Sequence, residues 1–143
     1  MSYSLTELAS AITGESHLIS NPEIRSIFFD SRQLIPHDKA LFFALKGSHR
    51  DGHSFIVDLF DRGLRNFVVS NVPENLKGKA NFILVDDVCE ALQSIAIWHR
   101  EKFEIPILGI TGSNGKTIVK EWLYQILSDD FVTVRTITYA WNI

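Results

Sequence analysis

An apolar run, Ile105–Ile110, leads directly into Thr111-Gly112-Ser113-Asn114-Gly115-Lys116-Thr117, and an amphipathic segment follows. No other feature limits the fold of this chain as much. The run reads as a buried strand, and Ile118, Trp122, Leu123, Ile126 and Leu127 share one helical face after it. Strand, glycine loop and helix in that order are the setting in which Gly-Lys-Thr cradles phosphate. Gly112 and Gly115 let the backbone turn tightly and aim N–H groups at an anion. The helix start adds a partial positive charge there. Thr111, Gly112, Ser113, Asn114, Gly115, Lys116 and Thr117 are therefore the candidate nucleotide-binding residues. Lys116 is the catalytic candidate, a mobile charge for the β- and γ-phosphates, and the Thr117 hydroxyl suits Mg²⁺. The plainer reading is a tight strand-to-helix turn with a solvated lysine. A Walker loop puts four residues between its first glycine and Gly-Lys; here that first position is Ile110, and Gly109 stands one residue early.

The rest of the chain predicts an α/β fold. Ser4 and Glu7 have the capping-box spacing, with Leu5, Leu8, Ala9 and Ile12 on one face and Gly14 ending the helix in a left-handed turn. Strands are expected over Ile24–Asp30, Ala40–Leu45, Phe67–Ser70 and Phe82–Val85, with a turn at Pro36-His37-Asp38. Phe55, Ile56, Leu59 and Phe60 suit a short helix stopped by Gly63, and Asp87 caps a helix carrying Val88, Ala91, Leu92, Ile95, Ala96 and His99 on one face. Cys89 is expected to be a buried small hydrophobe. The stretch between Arg100 and Pro106 separates a first domain, 1–103, from the start of a second, 104–143, too short to be independent.

Composition excludes several classes. With 143 residues and a net charge of −3, no basic surplus exists to attract nucleic acid. No apolar run approaches the roughly 20 residues of a membrane span. One cysteine allows neither an internal disulfide nor a thiolate zinc cluster. The first residues lack a basic segment followed by an apolar stretch, so a cytoplasmic location is expected.

Two upstream loops carry further polar groups. Ser31 offers a hydroxyl, and Arg32 a planar fork for phosphate or uracil oxygens. Residues 47–53 supply glycine N–H donors with His49, Arg50 and His53. A structural reading stands beside this, in which Asp30 pairs with Arg32, Asp51-Gly52 is a turn, and His53 caps or packs.

Gly109-Ile110-Thr111-Gly112-Ser113-Asn114-Gly115-Lys116-Thr117 resembles the phosphate loop of the Mur ligase family, which accounts for the offset glycine. Asp30-Ser31-Arg32, then Ala40–Gly47 (ALFFALKG), then Asp51-Gly52-His53-Ser54-Phe55, are similar to the family's upstream pattern, in the same order. Val119-Lys120-Glu121 looks like the continuation in members that add D-alanyl-D-alanine to UDP-N-acetylmuramoyl-tripeptide. The resemblance implies a small substrate-binding α/β domain followed by the first strand–loop–helix unit of a truncated parallel-sheet ATPase domain. It implies that Ser31, Arg32, Lys46, Gly47, Asp51, Gly52 and His53 hold the UDP moiety, and that the parent enzyme uses ATP and Mg²⁺ to form an acyl phosphate that the dipeptide amine attacks. The 143 residues are expected to be an N-terminal fragment, inactive alone and able to self-associate through an open sheet edge. The alternatives are a family member adding the third amino acid, a small phosphate-loop kinase, and a non-catalytic nucleotide-sugar-binding module. The family pattern has Thr or Ser where this chain has Ile118, and the tail Thr136–Ile143 departs from it.

Overall fold

The computed structural model describes residues 2–32, 39–48 and 50–136. The expected turn at Pro36-His37-Asp38, the candidate donor His49 and most of the atypical tail lie outside the described residues. The chain divides into two compact units, Met1–Phe103 and Glu104–Ile143.

The first unit contains β1 (Tyr3–Ser4), α1 (Leu5–Ser10), β2 (Glu15–His17), β3 (Glu23–Ile24), β4 (Ser26–Phe28) and β5 (Ala40–Phe43). A 3-10 turn (Gly52–Phe55) then runs into α2 (Ile56–Asp61), followed by β6 (Asn66–Val69), β7 (Asn81–Leu84) and α3 (Val88–Arg100). Its main sheet has the order β2-β7-β6-β5-β4. Strands β4 to β7 are parallel, and β2 closes one edge antiparallel to β7. β1 and β3 form a separate two-stranded ribbon.

Both faces of the sheet are covered, which is why its strands read as continuous apolar runs. In β5, Leu41 and Phe43 pack with residues of α1 and α3, while Ala40 and Phe42 pack with α2. Under α2 the parallel strands each supply a phenylalanine in register, Phe28, Phe42, Phe67 and Phe82. Their ring centroids are 5.1, 6.5 and 5.4 Å apart along the row. A polar ladder fixes the other end of the strands. Asn66 Nδ2 donates to the Ala40 carbonyl (3.0 Å), and Asn81 Nδ2 donates to Asn66 Oδ1 (2.7 Å). Asn81 Oδ1 accepts from the Ile19 and Ser20 amides at 2.8 and 3.0 Å.

The caps form where the spacing places them. Ser4 and Glu7 make the reciprocal capping box of α1, and Asp87 Oδ1 accepts from the Cys89 and Glu90 amides at 2.6 and 3.0 Å. Gly63, at φ 102°, ends α2 with its N–H on the Phe60 carbonyl and that of Leu64 on the Leu59 carbonyl. His99 packs as expected, its Nδ1 2.8 Å from the Tyr3 hydroxyl.

Four expectations change. Gly14 has no positive φ, and α1 ends through Ala11 in the right-handed region. A Cβ on Gly14 would stand 2.4 Å from the Leu84 carbonyl oxygen, so close approach to β7 demands glycine there. The expected strand 24–30 is two strands, because Ile24 joins the β1 ribbon while Ser26 begins pairing with β5. Ile27 and Phe29 are exposed, since β4 is an edge strand that contributes nothing to the α1/α3 cluster. Cys89 is exposed rather than buried, because the Asp87 cap directs Val88 inward and turns the next position outward.

In the second unit, α4 spans Lys116–Leu127, but residues 105–110 form no strand. A strand needs a β-neighbour along its length, and no β-ladder to this run occurs among the described residues. Ile107 and Leu108 are exposed, as are Ile118, Trp122 and Ile126 on the apolar side of α4. The chain after α4 folds back on it: Lys120 Nζ donates to the Thr136 carbonyl at 2.8 Å, Arg135 pairs with Glu121, and the Arg135 guanidinium lies 4.0 Å from the Tyr124 ring centroid. The chain as a whole is mixed α/β with a largely parallel sheet.

Candidate functional site

Parallel strands β4, β5 and β6 are neighbours, so the loops that follow them open on one edge of the sheet. Ligands in open α/β sheets bind outside this carboxyl edge. The loop after β4 holds Asp30, Ser31 and Arg32. Arg32 donates from Nε (2.9 Å) and Nη2 (2.6 Å) to the two carboxylate oxygens of Asp30, and its main-chain N–H adds a third bond at 3.1 Å. These bonds hold the Asp30 carboxyl down at about 2, with the charge of Arg50 acting in the same direction. The planar fork of Arg32 is therefore spent within the chain, as the structural reading has it. The Ser31 carbonyl accepts from Arg62 Nη1 at 3.2 Å.

The loop after β5 carries Lys46, Gly47, Asp51, Gly52 and His53. Lys46 and Asp51 bridge its two ends, and the Gly47 amide donates to the Arg50 carbonyl at 2.8 Å. Gly52 N–H donates to the Leu45 carbonyl at 2.8 Å, and a Cβ on Gly52 would stand 2.8 Å from the backbone of Ala44 and Leu45. Only glycine lets the loop close this tightly on the strand it leaves.

Asp51 caps the 3-10 turn, and His53 ties that turn to β6. Asp51 Oδ1 lies 2.9 Å from the His53 amide and 2.7 Å from His53 Nδ1. The main-chain bond and then the side-chain bond from His53 lower the Asp51 carboxyl below its ordinary range. His53 Nε2 accepts from the Ser70 main-chain N–H at 3.0 Å and lies 3.1 Å from the Ser70 hydroxyl. A peptide N–H can only donate, so Nε2 is unprotonated and the imidazole proton sits on Nδ1, facing the carboxylate. Asp51, His53 and Ser70 thus have the connectivity of a hydrolytic triad. The Ser70 amide already occupies the lone pair a general base needs, so the arrangement serves structure.

Of the residues the sequence singles out, Ser31, Arg32, Lys46, Gly47, Asp51, Gly52 and His53 all fall on this edge. Arg50 and Ser70 join them, and Arg62, where α2 runs toward the start of β6, meets the loop only through the Ser31 carbonyl. Arg62 carries no sequence signal beyond its place before Gly63, and Ser70 none beyond the end of an apolar run.

In the second unit, Gly112 (φ 145°) and Gly115 (φ 78°) take conformations that a side chain would strain. Gly115 is the N-cap of α4, and no side chain caps the helix. Lys116 Nζ donates to the Gly112 carbonyl, which folds the ammonium over the loop. Ser113, Asn114, Gly115, Lys116, Thr117 and Ile118 line a concavity of about 320 Å³. Thr111 and Gly112 immediately precede this lining. Uncapped first-turn amides, an ammonium and a hydroxyl form a donor set suited to phosphate and its cation. No cluster of three or more His, Cys, Asp or Glu that could hold a metal occurs among the described residues. No described helix is long and apolar enough to cross a membrane.

The family model described as "Mur ligase family, catalytic domain" matches residues 23–100. A UDP-N-acetylmuramoyl-tripeptide–D-alanyl-D-alanine ligase of Synechocystis is 39% identical over 123 residues, which is 86% of this chain and 27% of the relative. A crystal structure of MurF from Acinetobacter baumannii superposes with a TM-score of 0.81 at 29% identity, covering 91% of this chain and 28% of that one. MurF from Thermotoga maritima, solved in complex with ADP, matches with a TM-score of 0.64 at 29% identity over 74% of this chain and 24% of that one. The chain therefore spans about a quarter of the length of the relatives it matches.

Proposed function

Because the chain belongs to the Mur ligase family, we propose that it is the part of a D-alanyl-D-alanine-adding ligase that holds the UDP end of UDP-N-acetylmuramoyl-tripeptide and begins the ATP site. Residues 1–103 form the UDP-binding domain, with Ser31, Arg32, Lys46, Gly47, Asp51, Gly52 and His53 at or shaping its edge. Residues 104–143 open the ATP-binding domain. The reaction takes place in the cytoplasm on soluble nucleotide-linked substrate.

The observation that carries this reading is the loop at 112–117, with two positive-φ glycines, an uncapped helix start and Lys116 folded over the loop. Amides of the first turn of α4 and the Lys116 ammonium would hold the phosphates of ATP, and Thr117 would hold Mg²⁺. Bound there, the cation would neutralise phosphate charge as a carboxylate attacks. Lys116 would leave the Gly112 carbonyl for the phosphate, so the loop keeps its charge positioned without an internal carboxylate partner. The ligase class activates the peptide carboxylate as an acyl phosphate, and the amine of D-alanyl-D-alanine displaces phosphate to form the amide. Such chemistry draws on positioning by several domains, so these 143 residues bind both nucleotides without turnover. Val119-Lys120-Glu121 and the D-alanyl-D-alanine ligases among the relatives favour this member over one adding the third amino acid.

Calorimetric titration tests the reading. The chain should bind UDP-N-acetylmuramoyl-tripeptide and, separately, Mg-ATP, and Lys116→Ala should weaken only the second. Silence toward both at millimolar ligand would refute it, and multiple-turnover ATP hydrolysis would favour a self-sufficient phosphate-loop enzyme instead.

A further inference from the structure

We propose that Asn114 is a site of spontaneous modification: in the nucleotide-free chain its carboxamide is lost to attack by the Gly115 main-chain nitrogen, and the carboxylate left behind disables the phosphate cradle. The modification stands on the loop alone. Its effect on ATP, and the protection that ATP gives, rest on the reading of 112–117 as the phosphate site.

The reaction needs a carboxamide, a following residue with no Cβ to crowd the attacking nitrogen, and a main-chain N–H that nothing holds. Of the asparagines in the chain, only Asn114 precedes a glycine. Asn21 precedes a proline, which has no N–H, and Asn66 and Asn81 are buried in the polar ladder. Asn71 and Asn75 are exposed, but Val72 and Leu76 follow them. Asn114 and Gly115 are both exposed, and no heavy atom lies within 4 Å of the place a Gly115 Cβ would take. Among the described residues neither the Gly115 N–H nor the Asn114 carboxamide makes a hydrogen bond. Gly115 is also the N-cap of α4, and the Lys116 ammonium folds over the loop. Both place positive charge near the Gly115 nitrogen, which favours its deprotonated, nucleophilic form. The property that suits this amide to an anion therefore also exposes it to reaction.

The step needs only water. The Gly115 nitrogen gives up its proton and bonds to Asn114 Cγ; the Cγ–Nδ2 bond breaks and ammonia leaves, closing a five-membered succinimide. Water then opens the ring at one of two bonds. Cleaving N–Cγ leaves aspartate. Cleaving the bond to the Asn114 main-chain carbonyl leaves isoaspartate, with the chain lengthened by one backbone atom. Either product sets a carboxylate beside Lys116, where it pairs with the ammonium and repels phosphate. A bound phosphate that accepts from the Gly115 N–H would hold the proton in place and suppress the attack.

The whole 143-residue chain is incubated at mildly alkaline pH with and without Mg-ATP, and peptide mass spectrometry with an isoaspartyl methylation assay reads each asparagine. Asn114 should convert first, to both products, and faster as pH rises, while Asn71 and Asn75 stay intact. Conversion no faster at Asn114 than at those two would overturn the proposal. Mg-ATP at about ten times its dissociation constant should slow conversion about tenfold, in step with occupancy. An unchanged rate at that occupancy overturns the protection. Asn114→Asp, the product made directly, should weaken Mg-ATP at least about tenfold; binding equal to wild type overturns the inactivation. If wild type binds no Mg-ATP at all, the ATP reading fails, and the conversion measured without nucleotide still decides the modification.

Discussion

Replacing His53 by alanine removes the link between the loop after β5 and the end of β6. Two interactions go. The Nδ1–H to Asp51 bond, 2.7 Å long, has an ionised acceptor, but Asp51 is 46% exposed. Water can therefore replace part of it, and it contributes about 1–1.5 kcal/mol, the low end for charged partners. The Ser70 amide loses its 3.0 Å acceptor, which costs about 1 kcal/mol more. The imidazole is 17% exposed, so a small packing loss is added. The total is about 2–3 kcal/mol, or a melting temperature lower by about 10–15 °C for a unit of this size. Ser70→Ala keeps the main-chain N–H and should stay within about 0.5 kcal/mol of wild type, whereas Ser70→Pro removes that donor and should approach the His53→Ala value. Thermal and urea unfolding followed by circular dichroism read these differences. Nitrogen shifts of the His53 ring should show the proton on Nδ1. A His53→Ala protein as stable as wild type, or a ring protonated on Nε2, would refute the reasoning. So would an esterase activity abolished by Ser70→Ala, since it would require the lone pair that the Ser70 amide occupies.

Other perturbations follow from the same geometry. Asn81→Ala strands the Ile19 and Ser20 amides and Asn66 Oδ1 and loses the bond to the Ser20 hydroxyl; at about 1 kcal/mol per lost bond it should destabilise by about 3–4 kcal/mol in urea unfolding, and a coupling energy near zero with Asn66→Ala would contradict the ladder. Asp30, held at about 2 against 3.8 unfolded, adds stability that is fully present above the unfolded value and lost as pH falls toward the folded one. Solvent screening of its 73%-exposed partner limits this to about 1 kcal/mol at most, so the urea-midpoint difference between wild type and Asp30→Asn should vanish as pH falls through that window. Gly14→Ala must push against the Leu84 carbonyl and should cost about 1–3 kcal/mol, measured by thermal melting. The uncovered apolar side of α4, with Trp122 62% exposed, should drive concentration-dependent self-association that Trp122→Glu reduces in sedimentation velocity.

Local chemistry was legible before any coordinates. Ser4 with Glu7, Asp87 with Glu90 and Gly63 after Phe60 each fix a helix end through atoms only a few residues apart, so spacing alone reveals them. The apolar runs of β5, β6 and β7 are legible for a related reason, because a strand covered on both faces has no polar position to break the pattern. The glycine loop at 112–117 is legible because its two positive-φ positions require glycine within the loop itself. By contrast, β2 is short, polar and exposed, and forms because β7 offers it an edge. The run at 105–110 has the composition of a strand and, among the described residues, forms no β-ladder.

The sequence by itself determined the helix caps and the turns at Gly63, Gly112 and Gly115, because each depends on energies settled within a few residues. Tertiary structure decided which polar groups remain available. It spends the Arg32 fork on Asp30 and assigns the His53 lone pair to the Ser70 amide. Hydrogen-bond donors and acceptors are finite, and the allocation is set by neighbours distant in the chain.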